Sequence, residues 1–209
     1  MSSPLSSVLR NHLAALRMLL VFTVLTGIAY PLLITGVAQA AFTGQANGSL
    51  VKQSGKTVGS SLIGQNFNLP KKNPNNANEV AKPDPKWFQP RPSAGNYDPL
   101  VSGASNLGPN NPVLIKAIKE RKAAVAAFDG VPASKVPADA VTASGSGLDP
   151  DISPAYAYEQ VNRVAKTRGL SATAVHQLVA DQVHSRVLGF LGQDYVNVVK
   201  LNLALADLK

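Results

Sequence analysis

Between Arg17 and Lys52 the chain carries no charged residue, and inside that gap Met18–Ala41 reads MLLVFTVLTGIAYPLLITGVAQAA, 24 residues with only Thr and Gln as polar interruptions. As a helix this run is roughly 36 Å long, enough to cross a hydrocarbon core of about 30 Å with some tilt. The anchor opens with Met18, Leu19, Leu20, Val21 and Phe22, and Pro31 is expected to kink it because the ring removes a backbone donor. With its flanks the span is placed at 13–41, and Gly27 and Gly36 leave room for a neighbouring helix. Arg10 and Arg17 precede the span, whereas the first lysine beyond it, Lys52, lies eleven residues past Ala41. This bias predicts a short cytoplasmic segment at 1–12 and an extracytoplasmic domain at 42–209.

One other reading of the same segment stands beside the anchor. Ala38-Gln39-Ala40 is an A-x-A site behind a basic stretch and an apolar run, so cleavage after Ala40 would release a processed extracytoplasmic binding protein. Against it, the uncharged run from Met18 to Ile34 is 17 residues, longer than the usual ~7 to 15 of a cleaved apolar region.

The ~165 residues left after the span fit a single core. The chain's net charge is +8, and without Arg10 and Arg17 the remainder holds eighteen basic and twelve acidic residues. The basic residues are scattered apart from short groups such as Lys116, Lys119, Arg121 and Lys122, which is not a nucleic-acid footprint. The absence of cysteine excludes disulfides, thiolate nucleophiles and cysteine-ligated metals.

The domain is expected to be α+β, three main helices with short strands. Val51, Thr57 and Val58 flank Ser54-Gly55 as in a hairpin. Residues 66–111 are crowded with Pro, Asn, Gly and Lys, and read as an irregular surface loop. A helix is predicted from a cap at Asn110 or Asn111, through Pro112, to just before Gly130. A second runs from Ser153-Pro154 to Gly169, and a third from Ser171 to about Ser185, pairing as a helical hairpin. Val199, Leu201, Leu203 and Leu205 alternate with polar residues, predicting a strand over Tyr195–Leu205.

Motifs for chemistry are sparse. Gly55-Lys56-Thr57 resembles the end of a phosphate-binding loop, but position 50, where that loop needs glycine, is leucine, so a hairpin turn is the better reading. No Asp-Lys-Thr-Gly stretch and no Gly-x-Ser-x-Gly elbow occurs, so ATP chemistry and hydrolysis are not expected of this chain. His176 and His184 are eight residues apart on the third predicted helix, short of a metal ligand set. Ser144-Gly145-Ser146-Gly147, ahead of Leu148-Asp149-Pro150 and a helix start, is either a backbone cradle for an anion or a tight connection. No catalytic residue, metal ligand or bound cofactor is expected.

Several blocks together resemble one family. They are Gly59–Gln65 (GSSLIGQ), Arg91-Pro92-Ser93-Ala94, Ser105–Pro109 (SNLGP), Val136–Asp139 (VPAD), Val141–Pro150 (VTASGSGLDP), Ile152-Ser153-Pro154, and Val196-Asn197-Val198 through Leu201-Asn202-Leu203. Behind one N-terminal span, this set is similar to the C subunit of the bacterial Kdp high-affinity potassium-transporting P-type ATPase. The resemblance implies an inner-membrane accessory subunit, partnered by a channel-like potassium-translocating subunit and by an ATP-hydrolysing one. It implies a need for this subunit in assembly and activity, and a catalytic-chaperone role that raises the hydrolytic subunit's ATP affinity. Any nucleotide or partner contact would then fall on Ser144, Gly145, Ser146, Gly147 and Asp149. ATP, held by the hydrolytic subunit, is on the opposite side of the membrane from the domain that charge bias places outside. The sequence departs from the family pattern in an Asn-, Pro- and Lys-rich insertion at 68–86, in Asp151 where histidine is frequent, and in Ala104 where glycine is frequent.

Overall fold

The computed structural model describes residues 4–208 apart from 74, 77 and 78. Residues 1–3 of the expected cytoplasmic segment, and Pro74, Ala77 and Asn78 of the expected loop, lie outside the described residues. The chain divides into two compact units, 1–49 and 50–209.

The first unit is one apolar helix. α1 (Pro4–Val24) continues through a five-residue π turn, Leu25–Ala29, into α2 (Tyr30–Ala41), and a four-residue turn of helix, α3 (Thr43–Ala46), follows. The π turn has a local cause. Pro31 has no N–H to offer and its ring crowds the carbonyl of Gly27, so the ladder re-registers just ahead of it, with the Tyr30 N–H bonding the carbonyl of Leu25. The stretch Ser6–Ala41 is 36 residues, about 54 Å as a helix, and none of it is buried against protein. Leucine, valine and phenylalanine on every side of such a rod need lipid around them. The Ala38-Gln39-Ala40 triplet lies within α2, whose last turn is closed by the Phe42 N–H on the Ala38 carbonyl at 2.8 Å.

The second unit mixes helix and strand. β1 (Leu50–Gln53) and β2 (Lys56–Ser60) form the expected hairpin, with Ser54 and Gly55 both at positive φ as a tight two-residue turn demands. The lysine and threonine after Gly55 are therefore strand residues, not a phosphate loop. α4 (Pro112–Asp129) starts where predicted: the Asn111 side chain accepts from the Val113 N–H, Pro112 holds the first helical position, and Gly130 closes the end in the left-handed region.

The predicted second helix is interrupted. Ser153 caps α5 (Pro154–Glu159), the chain steps at Gln160, and α6 (Val161–Arg168) ends at left-handed Gly169. α7 (Ala172–Asp181), capped by Ser171, packs against α6 as the expected hairpin but stops four residues early. Val183 and His184 then form β4, so His176 and His184 do not share a helix. His176 stacks on Tyr158 and His184 on Tyr195, and no metal-holding group exists among the described residues.

The expected strand at Tyr195–Leu205 is the main correction. Only Tyr195–Asn197 is extended, as β5, the centre of a three-stranded antiparallel sheet with β3 (Asp151–Ile152) and β4; Val198–Asp207 is a helix, α8. Asn197 caps it by accepting from the Lys200 N–H at 3.1 Å. Val198, Leu201, Asn202 and Leu205 are buried at helical spacing, and the buried Asn202 is the residue that the alternating pattern had counted as solvent-facing.

The core gathers Ile152, Tyr156, Val164, Val175, Val179, Val196, Leu201 and Leu205 from β3, α5 to α8 and β5. It also takes Phe88, fully buried, from inside the segment read as a surface loop. That segment is irregular, but Trp87–Gln89 is stitched inward by side-chain amides. Asn202 donates to the Phe88 carbonyl and accepts from its N–H, both at 2.9 Å. Gln160 does the same for Gln89, at 3.1 and 2.6 Å. Two carboxamides thus satisfy backbone groups that a neighbouring strand would otherwise have to meet. Below them, Arg163 is buried and paired with Asp129, and also donates to the carbonyls of Pro85 and Trp87 at 2.7 and 3.0 Å.

Candidate functional site

The Ser144–Gly147 turn sits where four segments remote in sequence meet. Its internal bonds are short-range: Ser144 Oγ accepts from the Gly147 N–H at 2.9 Å, and Ser146 Oγ from the Leu148 N–H at 3.1 Å. Its carbonyls point outward to other segments. Ser93 Oγ donates to Gly147 at 2.6 Å, the Gly103 N–H to Ser146 at 2.8 Å, and the Gly64 N–H to Leu148 at 2.8 Å. Two glycines are required here. A Cβ on Gly147, held at φ +68°, would lie 2.8 Å from the Gly103 carbonyl oxygen, and one on Gly64 would collide with the Tyr97 ring and the Asp149 carbonyl.

Arg91 and Tyr97 lock this arrangement. The Arg91 guanidinium bonds Asp149 Oδ2 at 2.9 Å and reaches the carbonyls of Thr142 and Ala143. The Tyr97 hydroxyl lies between the carbonyls of Arg91 and Asp149, at 2.8 and 3.2 Å. Burial, reinforced by the Asp149 charge, raises the Tyr97 pKa, so its hydroxyl stays protonated and donates. Asp149 uses its other oxygen on the Asp151 N–H at 3.0 Å.

These partners define the surroundings of the turn. The hydroxyls of Ser144 and Ser146 are engaged with the turn's own amides, the nearby guanidinium is committed to a carboxylate, and that carboxylate would repel a phosphate. The turn ties the segments of Gly64, Ser93 and Gly103 together through the carbonyls of Ser146, Gly147 and Leu148, with the Arg91–Asp149 pair beside it. All five candidate residues are nonetheless brought together in one place.

Beside this lattice lies a cleft of about 500 Å³, lined by Asp139, Asp149 and Asp151, by Arg91 and Arg186, and by Leu191 and Tyr195. Asp139 is held by Ser153, whose N–H and hydroxyl both donate to it, at 2.7 and 2.9 Å. Asp151 accepts from Asn197 Nδ2 at 3.0 Å, and the same amide group also reaches the Ser61 carbonyl at 2.8 Å. Burial pushes the Asp151 carboxyl above its ordinary range and the neighbouring Asp149 charge pushes it further. Elsewhere, Glu159 keeps both carboxylate oxygens buried without a hydrogen-bond partner; burial, then Asp129 and Asp139, push it up to about 7.

Sequence reasoning picked out the turn but not what holds it. Arg91, Ser93 and Gly64 stood in the quoted blocks without assigned roles, and Tyr97 and Gly103 were not singled out. No spacing rule links residues separated by 52 or 58 positions, as Tyr97 and Arg91 are from Asp149.

Comparison with known proteins gives a consistent picture. The family model for the K+-transporting ATPase c chain, KdpC, matches residues 12–207. A potassium-transporting ATPase KdpC subunit of Streptomyces coelicolor is 49% identical over 221 residues, covering 100% of this chain and 97% of the relative. The Sorangium cellulosum protein of that name is 52% identical over 194 residues, with 91% and 94% covered. The Mycobacterium tuberculosis one is 48% identical over 199 residues, with 94% and 97% covered. These relatives are named as pump subunits, which gives the released binding protein no support.

Proposed function

The chain belongs to the KdpC family, the c chain of the K+-transporting ATPase, and from that premise we propose that it is a non-catalytic accessory subunit acting on the outer side of the membrane. The observation that carries this reading is the pairing of one long unburied apolar helix with a folded unit whose charged groups hold loops together. Arg91, Asp149, Asp139 and Arg163 are each engaged by neighbours, and none forms a nucleophile and base constellation. Arg10 and Arg17 keep the N-terminus in the cytoplasm, and the unit from residue 50 onward is extracytoplasmic.

Its partners in this reading are the channel-like potassium-translocating subunit and the ATP-hydrolysing subunit. Assembly and full activity depend on it. The chaperone-like rise in ATP affinity is exerted through contacts between subunits, with no nucleotide on this chain. The Ser144–Gly147 turn and Asp149 act as a rigid keystone that fixes the shape of the docking face.

Two measurements test this. Purification in mild detergent from cells co-expressing the ATPase subunits brings both larger subunits down with the chain; recovery of the chain alone, under conditions that keep other membrane complexes intact, rejects the subunit reading. A photoreactive ATP analogue labels the hydrolytic subunit only; specific labelling of this chain, competed by ATP, rejects the indirect mode of action.

A further inference from the structure

The π turn in the apolar helix leaves one backbone group without its ladder bond. In an α ladder the Thr26 carbonyl takes its hydrogen bond from the Tyr30 N–H, and in a π ladder from residue 31. Tyr30 donates to Leu25 instead, and residue 31 is a proline with no N–H to give. The Thr26 hydroxyl is spent as well, turned back onto the Phe22 carbonyl at 2.6 Å. Thr26 lies about 5 Å from the middle of the Met18–Ala41 span, at 1.5 Å per residue. Water does not reach that depth, and a carbonyl facing hydrocarbon is costly enough to require a donor from outside the helix.

A second observation falls on the next residue. Gly27 does not take a positive φ, and a Cβ there would meet only a methyl group of Thr23, at 4.0 Å. Nothing within the helix calls for glycine at this position, and glycine weakens a helix relative to alanine. A missing side chain beside a bared carbonyl lets a neighbouring membrane helix come close enough to bond it. Lipid tails carry no donor, so the occupant is a helix bearing a serine, threonine, asparagine or glutamine. A parallel second copy of this chain supplies such a group poorly. At the same depth it offers Thr26, already turned on Phe22; Thr23 lies toward the N-terminus, away from the direction in which helix carbonyls point, and Thr35 is nine residues further on.

Resting on the reading of the chain as a pump subunit, we propose that the Thr26 carbonyl, bared by the π turn and made approachable by Gly27, accepts a hydrogen bond from a hydroxyl or carboxamide side chain on a membrane-spanning helix of another subunit of the same ATPase. The anchor then does more than tether the folded unit, because this bond fixes its depth and rotation against that helix.

The test places a photoreactive benzophenone side chain at position 23, one turn before Gly27, in the full complex in native membranes. Irradiation yields a covalent adduct with a larger subunit of the ATPase. An adduct only with lipid, only with a second copy of this chain, or with nothing, while the complex still co-purifies, overturns the proposal and leaves the subunit reading standing. If the wild-type chain brings down no ATPase subunit, that reading itself falls, and this one with it. Gly27→Leu, which fills the approach, lowers co-purification about tenfold or more, with the unfolding midpoint of the 50–209 unit unchanged because the substitution lies in the other unit. Undiminished recovery with Gly27→Leu rejects the close contact. Pro31→Ala returns an N–H to the ladder and takes the acceptor away from the partner's side chain, so recovery falls about threefold or more. Wild-type recovery with Pro31→Ala rejects the hydrogen bond.

Discussion

Replacing Asn202 with alanine removes both bonds that hold Phe88, and the structure sets the size of the effect. Asn202 is 2% exposed, and the Phe88 backbone it serves is buried with it. Once the carboxamide is gone, one N–H and one carbonyl are left without partners, at about 1–3 kcal/mol each. The expected loss is therefore about 2–6 kcal/mol, a large share of the roughly 5–15 kcal/mol typical of a whole domain. Urea unfolding of the full chain in mild detergent reads it through Trp87, the chain's single tryptophan and the residue next to the clamp. With a slope of about 2 kcal/mol per molar, the midpoint falls by about 1–3 M. Asn162→Ala on the exposed side of α6 serves as the control and moves it little. Equal midpoints for the two variants refute the idea that side-chain amides stand in for a strand partner at Trp87–Gln89.

Three further outcomes follow from the same contacts. Gly147→Ala destabilises the unit by about 1–2 kcal/mol from backbone strain alone, with the Gly103 clash added, whereas Gly145→Ala, with open space around its Cβ, is near neutral; urea midpoints compare the pair. Arg163→Met strands the buried Asp129 carboxylate and costs about 3–5 kcal/mol, and adding Asp129→Asn recovers part of it; a double-mutant cycle measures the coupling. Glu159 has a folded-state pKa raised to about 7, so the folded form holds its proton over a pH range where the unfolded chain releases it. Stability on its account falls as pH rises from the ordinary carboxylate range to about 7, and Glu159→Gln raises the unfolding temperature at pH 8 and leaves it unchanged at pH 4.

What could be read from the sequence was local. Asn111, Ser153 and Ser171 cap helices because serine and asparagine meet the first free amides from two or three residues away, and that signal is contained in a few letters. The Ser54-Gly55 turn and the apolar N-terminal helix were legible for the same reason. α8 was not, since Leu201, Leu203 and Leu205 fit both periods and the deciding residue, Asn202, is a polar group whose burial depends on Phe88, 114 positions away. Phe88 itself lies among prolines and lysines with no periodicity to mark it. The turn at Ser144–Gly147 was visible as a motif, yet its meaning depended on Arg91, Ser93, Tyr97 and Gly103, which only the fold brings near. The exposed run Val187–Leu191 carried a signal, four large apolar residues around Gly189, that a search for helices and strands passes over.

The proposed reading puts the folded unit on the extracytoplasmic side, and a sequence without cysteine makes that directly measurable. A single Leu100→Cys substitution, at a position 91% exposed, gives one thiol for a membrane-impermeant maleimide. Labelling in intact spheroplasts, unchanged by later permeabilisation, is the predicted result. A thiol that reacts only after the membrane is opened places the unit in the cytoplasm and contradicts the account.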